Sequence, residues 1–327
     1  MGNKNTAIVT TLKDPGVSIM SFINYHFSIG FDHIFLFFDS DHDSYIDEVE
    51  KIPNITVFKT DSTLLESWKG TKLFKQNPHY VNFLNSEVMA RQLLNVDLAI
   101  QASLDMGISW LLHIDNDELF YPGKTTLEQH FNSLNAQKIS SMLYLNHEAI
   151  PESIVIDDYF QEVTLFKRTP LLFNQAQLLK LKEVPKKEHF LFYSNGKSAG
   201  RVSDKLQQTN VHRFDCHENH NISDEPSILH YPVCGLDNFK KKYKILGFFD
   251  DKWFGVTEIK VDNPFHVECR DIMHTGNEFL IEDFYKKRVM VRPDVIAELL
   301  KEGIYFRETF AQNILRTEQM EVLKSNF

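Results

Sequence analysis

Residues Trp110–Phe120, WLLHIDNDELF, decide how the chain is read. Trp110, Leu111, Leu112 and Ile114, placed around His113, form a short apolar run that ends on two carboxylates one residue apart, Asp115 and Asp117, with Glu118 directly behind them. A run this short and apolar reads as an internal strand of an α/β sheet. Ligands of such sheets bind where the strands reach their carboxyl ends. Two aspartates at a strand end that turns can reach one Mn²⁺ or Mg²⁺, and the ion can hold a diphosphate. The same letters also fit a strand that runs into an acidic turn and carries no chemistry.

Working outward, the residues before this strand predict its neighbours. Glu87 to Met106 reads as a long helix, with Val88, Leu93, Leu94, Leu98, Ile100 and Leu104 as its apolar surface and Gly107 as its stop. Earlier, Thr6 to Leu12 is a β-branched run that ends in Lys13-Asp14-Pro15-Gly16, and Val17 to Ser28 has helical spacing before Gly30. His33 to Phe38 is a second apolar strand emptying into Asp39-Ser40-Asp41-His42-Asp43; a short helix to Val49 and a strand Ile55 to Phe58 follow. Alternating strands and helices predict a parallel sheet, with Lys13, Asp39 and Asp115 at one edge. Asp61 to Phe83 reads as a loop-rich connection.

Beyond Phe120, the spacing predicts a helix over Thr125 to Leu134, a strand over Ser140 to Leu145 and an ambiguous stretch from Tyr159 to Phe173. Lys180 to Glu188 reads as a loop. Ser194-Asn195-Gly196-Lys197 reads as a turn before a strand Ala199 to Val202, and Val211 to Phe214 as a strand edge. A helix beginning near Leu236 carries Lys240, Lys241, Lys242 and Lys244, which is either a solvated face or an attractor of phosphate or an acidic membrane surface. Helical segments dominate after Asp262.

The 327 residues, 43% of them hydrophobic with 27 phenylalanines, are enough for one large α/β domain and an appended segment. A formal net charge of -10 argues against general nucleic-acid binding. The start MGNKNTAIVTT has no apolar leader and no stretch reaches spanning length. A cytoplasmic location follows as the expectation, with peripheral membrane association as the variant; Met1-Gly2-Asn3 is a weak match to an acylation start. Cys216, Cys234 and Cys269 are odd in number and widely spaced, which does not suggest a disulfide scaffold.

On several of these residues together the chain resembles the inverting nucleotide-sugar glycosyltransferases of the family 2-like and family 92-like branches, which share the glycosyltransferase A-type fold. The matches are Thr11-Leu12-Lys13-Asp14, His26 with Gly30, Asp39-Ser40-Asp41-His42-Asp43 and, above all, Trp110 to Phe120. Gly196-Lys197, Val211-His212, and His230-Tyr231 followed by Phe239 and Lys242 are similar to later signatures of the group. The likeness spans about residues 6 to 245. Asp14 stands where many relatives carry an Asn-Glu pair, and no glycine-rich acceptor motif follows Leu145.

The resemblance implies a Rossmann-like mixed central sheet flanked by helices, a catalytic domain over 1–245 and a mainly helical extension over 246–327. It implies transfer of a sugar from a nucleotide-diphosphate donor, UDP-linked favoured, to a hydroxyl on a glycan, protein or small molecule. Mn²⁺ or Mg²⁺ would be held by Asp117 with Asp115, and His212 or His230 would complete the site. Thr11, Lys13, Asp39, Asp115 and Lys197 are the candidates for donor contact. An inverting displacement also needs a carboxylate base beside the acceptor hydroxyl; Asp158 and Glu162 are the candidates, with Asp157 beside them. Three other readings stay open. Metal-dependent nucleotidyl or phosphoryl transfer could use the same aspartates, although no GxxxxGK[ST] loop is present. His212, Cys216, His217, His220, His230 and Cys234 are crowded enough to suggest structural zinc but lack a two-pair pattern. A carbohydrate-binding protein without catalysis is the third.

Overall fold

The computed structural model describes residues 5–183, 189–215, 219–247, 249–253, 257–258 and 264–325. Cys216, His217, the Met1-Gly2-Asn3 start and the end of the Lys180 to Glu188 stretch lie outside the described residues. The chain divides into two compact units, Met1–Leu145 with Asn195–Ile228, and Asn146–Ser194 with Leu229–Phe327.

The first unit is built on a mixed sheet. Strands β1 (Thr6–Leu12), β2 (His33–Phe38), β3 (Ile55–Lys59) and β4 (Trp110–His113) are parallel in the order β4-β1-β2-β3. Every residue of β1, β2 and β4 is buried, because helices cover both faces of a parallel sheet and its strands therefore read as continuous apolar runs. Beyond β4 the order continues to β8 (Lys197–Arg201) and the first half of β6 (Ser141–Ala149). β8 is antiparallel to both, pairing Leu111 with Gly200 and Tyr144 with Lys197. That reversal matters for the site: the first residue of β8 lies at the edge where β4 ends. β5 (Glu118–Tyr121) pairs with the strand His220–His230. This is the α/β, Rossmann-like mixed sheet with flanking helices expected of the glycosyltransferase A-type fold.

The helix Val88–Met106 packs against β1 and closes on Gly107, whose φ of 71° is left-handed. Its Leu94, Val96 and Ile100 join Val9, Phe35, Phe37 and Leu111 in one core cluster. The stretch Asp61 to Phe83, expected to be loop-rich, is helical: Ser62–Gly70, Lys72–Gln76 and a 3-10 turn Pro78–Phe83. Side-chain caps explain the difference, since Asp61 accepts the Leu64 N–H and Thr71 accepts the Phe74 N–H, satisfying donors that periodicity does not register. Trp68 anchors the group by burying its ring and donating Nε1–H to Asn95.

In the second unit, β7 (Leu165–Lys167) pairs antiparallel with Glu148–Ala149 and with Tyr305–Arg307. The helices Leu236–Leu246, Pro264–His274 and Glu278–Arg288 share a core of Phe239, Tyr243, Phe265, Cys269 and Tyr285. Pro293–Lys301 and Phe310–Ser325 complete the C-terminal helical segment. Lys180 to Glu183, expected in a loop, ends the helix Gln175–Glu183. Among the described residues no helix is long and apolar enough to cross a membrane.

One histidine ties the first helix to the turn after β4. In the helix Ser18–Ser28, the fully buried His26 bonds the Phe22 carbonyl through Nδ1 (2.8 Å), so Nδ1 carries the proton and Nε2 accepts the Phe120 N–H. Tyr25 donates its hydroxyl to the Phe120 carbonyl beside it. Burial among Phe22, Tyr25 and Phe31 lowers the His26 pKa from 6.5 to about 3. The unfolded chain takes up this proton below about pH 6.5 and the folded one does not, so stability is present above that value and is lost as pH falls toward 3. The urea midpoint should therefore decline from about pH 6.5 downward, and His26→Gln should lessen the slope between about pH 6.5 and 5 by one histidine's share, since burial lowers His113, His130, His147, His189, His212 and His266 in the same way. An unchanged slope in the variant would show that this histidine is not among the causes.

Candidate active site

The turn after β4 is closed by its own acid. Glu118 N–H donates to the Asp115 carbonyl (3.1 Å), and the Glu118 carboxylate accepts the Asp115 N–H (2.8 Å). Glu118 thus opens β5 with its side chain inside the protein, while Asp115 and Asp117 stay partly exposed at the sheet edge. Parallel pairing of β1, β2 and β4 places Lys13, Asp39 and Asp115 at the same, carboxyl-terminal edge.

Lys197 is brought to this edge by the antiparallel β8. Gly196 makes the entry possible: its φ is 75°, and a Cβ there would sit 2.2 Å from the Tyr144 carbonyl oxygen. The Lys197 ammonium is 1% exposed and lies 2.7 Å from Asp115 Oδ2, 3.7 Å from Glu118 Oε2 and 3.4 Å from the Val211 carbonyl. Gln92, from the helix Val88–Met106, donates to the other Asp115 oxygen at 2.8 Å. Burial would raise the Asp115 pKa, but the adjacent ammonium outweighs it and holds the carboxyl well below the usual carboxylate range. For Lys197 the same pair works in reverse: burial favours the neutral amine, and Asp115 and Glu118 keep it protonated. Glu118 goes the other way, pushed well above the ordinary range by burial and by the charges of Asp115 and Asp117 against the pull of Lys197; its Oε1 is buried with no hydrogen-bond partner.

Two histidines border the pair. His113, the last residue of β4, accepts from Gln208 at 2.6 Å through Nδ1, and burial first, Lys197 second, lower its pKa to about 3. His212 directs Nδ1–H to the Gly196 carbonyl (3.0 Å), which leaves the lone pair on Nε2; burial and then Lys197 lower it to about 3. A neutral imidazole in that tautomer is the form that ligates a metal.

The other candidates are placed as follows. Thr11 is buried and accepts from Asn95 (2.9 Å), inside the network that also holds Trp68. Lys13 is exposed beyond the end of β1. Asp39 receives a bidentate fork from Arg91, 2.6 Å on both oxygens, and is held at the end of β2. His230, Asp158 and Glu162 belong to the second unit. His230 is buried and stacks on Tyr193, with ring centroids 4.7 Å apart. Asp158 caps the helix Tyr159–Glu162 by accepting the Phe160 N–H, and Glu162 Oε1 accepts the Asp157 and Asp158 N–H groups.

Arg91, Gln92 and Gln208 were not legible as site residues. The signal that could have found the first two is the polar set Arg91, Gln92 and Asn95, which interrupts the apolar surface of the helix in its first two turns. Among the described residues, no group of three or more His, Cys, Asp or Glu side chains is arranged to hold a metal ion. A metal ion would therefore take at most two of Asp115, Asp117 and His212 as ligands. That fits Mg²⁺ and Mn²⁺, which commonly bind through one or two carboxylates together with substrate phosphate and water.

The chain matches no protein-family model. It is similar to two proteins of Arabidopsis thaliana, Glycosyltransferase-like At2g41451, at 28% identity over 91% of this chain and 69% of that one, and Glycosyltransferase-like At3g57200, at 27% over 68% and 46%. The chain thus spans less than half the length of the second. Among solved structures, Staphylococcus aureus TarS 1-349 aligns over 90% of this chain and 77% of that one with 10% identity and a TM-score of 0.38. Core-mannan synthase A of Aspergillus fumigatus, in its Mn/GDP form, aligns over 62% of each chain with 8% identity and a TM-score of 0.31. Similarity at these two levels supports no transfer of function.

The Asp115–Lys197 contact should behave as a buried ion pair. Lys197→Met leaves a carboxylate uncompensated and should cost about 3–5 kcal/mol in denaturant unfolding, and adding Asp115→Asn should recover part of that loss. Strictly additive losses in the double-mutant cycle would contradict the coupling.

Proposed function

We propose that this protein is an inverting glycosyltransferase that moves a sugar from a nucleotide-diphosphate donor, UDP-linked by preference, to a hydroxyl acceptor. The observation that carries the reading is the acidic turn at the carboxyl edge of a parallel sheet, with Asp115 locked by a buried lysine and Asp117 beside it. Similarity to two proteins called glycosyltransferase-like agrees with it.

Charge accounting suggests how a donor would be accepted. Lys197 is committed to Asp115, so the turn presents no net positive charge, and a diphosphate approaching Asp115 and Asp117 would be repelled. Asp117, with no more than one of Asp115 and the neutral His212, would hold Mn²⁺ or Mg²⁺. When bound, such an ion offsets the charge that develops on the departing diphosphate. Lys197 and Gln92 fix both oxygens of Asp115, which keeps that carboxylate ionised and oriented without reorganisation. Lys13 and Asp39, at the same edge, are placed for the nucleoside; Asp39 is braced by Arg91. In the second unit Asp158 and Glu162 are the proposed bases. Two backbone N–H groups fix Glu162 through Oε1.

Release of nucleoside diphosphate from a panel of UDP- and GDP-sugars with Mn²⁺ tests the reading, because water can replace an unknown acceptor slowly. One donor should be turned over selectively, and Asp117→Asn should lower turnover on the order of a hundredfold or more while unfolding stays within about 0.5 kcal/mol of the parent. Full turnover in the variant, or in the presence of a chelator, would remove the metal from the account; no turnover of any donor by the folded protein would count against sugar transfer.

A further inference from the structure

In the first unit, the edge of the sheet opposite the acidic turn carries a cavity of about 620 Å³ lined by Asn135, Lys138, Ser140, Arg201 and Asn219. Arg201 pairs with Trp110, the first residue of β4, so β8 holds Lys197 at one edge and Arg201 at the other. The volume is in the range of small-molecule sites. Among the described residues, no carboxylate and no apolar side chain lines the cavity.

The hydrogen bonds already made around the cavity define what an occupant must supply. The backbone carbonyls of Leu134, Asn135, Ser140 and Asn219 accept the N–H groups of Ile139, Lys138, Arg201 and Ser140, and the Lys138 carbonyl accepts Asn219 Nδ2 (3.0 Å). Asn135 Oδ1 accepts the Trp110 indole N–H at 3.0 Å, which leaves its NH₂ as the group it can offer. Among the described residues, neither the Lys138 ammonium nor the Arg201 guanidinium has a carboxylate partner. Acceptors are therefore taken while N–H donors, two groups of them cationic, are in surplus, and the complement of such a set is an oxyanion.

The backbone singles out Lys138 a second time. The helix Leu127–Ala136 closes in a Schellman motif, with Ile139 N–H on the Leu134 carbonyl (3.0 Å) and Lys138 N–H on the Asn135 carbonyl (3.1 Å). Lys138 occupies the left-handed position of that motif, with φ 56°, where glycine is the usual residue and a Cβ is disfavoured. Folding alone favours glycine at this position, and an ammonium in its place points to a ligand.

We propose that this cavity binds a sugar phosphate, with Arg201 and Lys138 on the phosphoryl oxygens and Asn135 and Asn219 on the hydroxyls. A guanidinium fork and an ammonium suit a phosphoryl group. Asn219, whose NH₂ donates to Lys138, keeps Oδ1 to accept a hydroxyl, and the Asn135 NH₂ donates to one. The lining has no aromatic ring on which a nucleobase would stack, which separates the ligand from a nucleotide. The inference stands whether or not the acidic turn transfers a sugar.

Calorimetric titration of the full chain with glucose 6-phosphate is the test, in buffer freed of divalent cations so that none recruits phosphate to the acidic turn. Saturable binding is expected, about fivefold or more tighter than that of inorganic phosphate or uridine monophosphate, and glucose itself should give no heat. Arg201→Met should weaken binding about tenfold or more. Lys138→Gly should weaken it about fivefold or more with a thermal midpoint at or above the parent's, because glycine relieves the left-handed backbone; lost binding is thereby separated from lost folding. No saturable binding by the folded parent, or unchanged binding by either variant, would overturn the proposal. Inorganic phosphate bound as tightly as the sugar phosphate would assign the cavity to a free anion and overturn it, and tighter binding of uridine monophosphate would overturn it in favour of a nucleotide.

Discussion

A lysine ammonium that is almost wholly excluded from water stays charged only if a counterion is built around it, and in this fold that requirement fixes the site. Lys197 enters on a strand that runs against its neighbours, so that it meets the carboxyl end of β4 rather than the opposite edge. Asp115 is the counterion, Gln92 holds its second oxygen, and Glu118 closes the turn from behind. Four elements that are distant in the chain are thereby set in one arrangement: β4, β5, β8 and the helix Val88–Met106. Gly196 is part of the same constraint, because any side chain there would collide with the Tyr144 carbonyl.

The consequence is a division of labour among carboxylates that look equivalent in the sequence. Asp115 is ionised and immobilised, Glu118 is buried and pushed toward its neutral form, and Asp117 is left at the surface of the turn. Environment, and not residue type, separates the three. The same environment holds Lys197, expected as a point charge for donor phosphate, against Asp115.

Much of this was legible before any coordinates. The strands β1, β2, β3 and β4 and the long helix before β4 carry periodicities that tertiary packing reinforces, and the parallel order follows from their alternation. The acidic turn was visible as a motif. In the first unit three things were not. The helices between Asp61 and Phe83 depend on the caps of Asp61 and Thr71, and a cap is a local hydrogen bond rather than a pattern. β5 is hidden because Glu118 is a charged residue at a fully buried strand position, against its ordinary tendency. The reach of Arg91 to Asp39 and of Gln92 to Asp115 spans 52 and 23 residues, and no spacing rule connects such pairs.

The central claim is that the acidic turn accepts a nucleoside diphosphate only together with a divalent cation, because Lys197 has already spent its charge. Calorimetric titration of Mn²⁺ into the protein, alone and with UDP or GDP present, measures that linkage directly. The account predicts weak binding of either ligand alone and at least tenfold tighter binding of each in the presence of the other, with equal coupling in both directions. Tight nucleotide binding that Mn²⁺ leaves unchanged would contradict it and would assign the diphosphate charge to the protein's own cations.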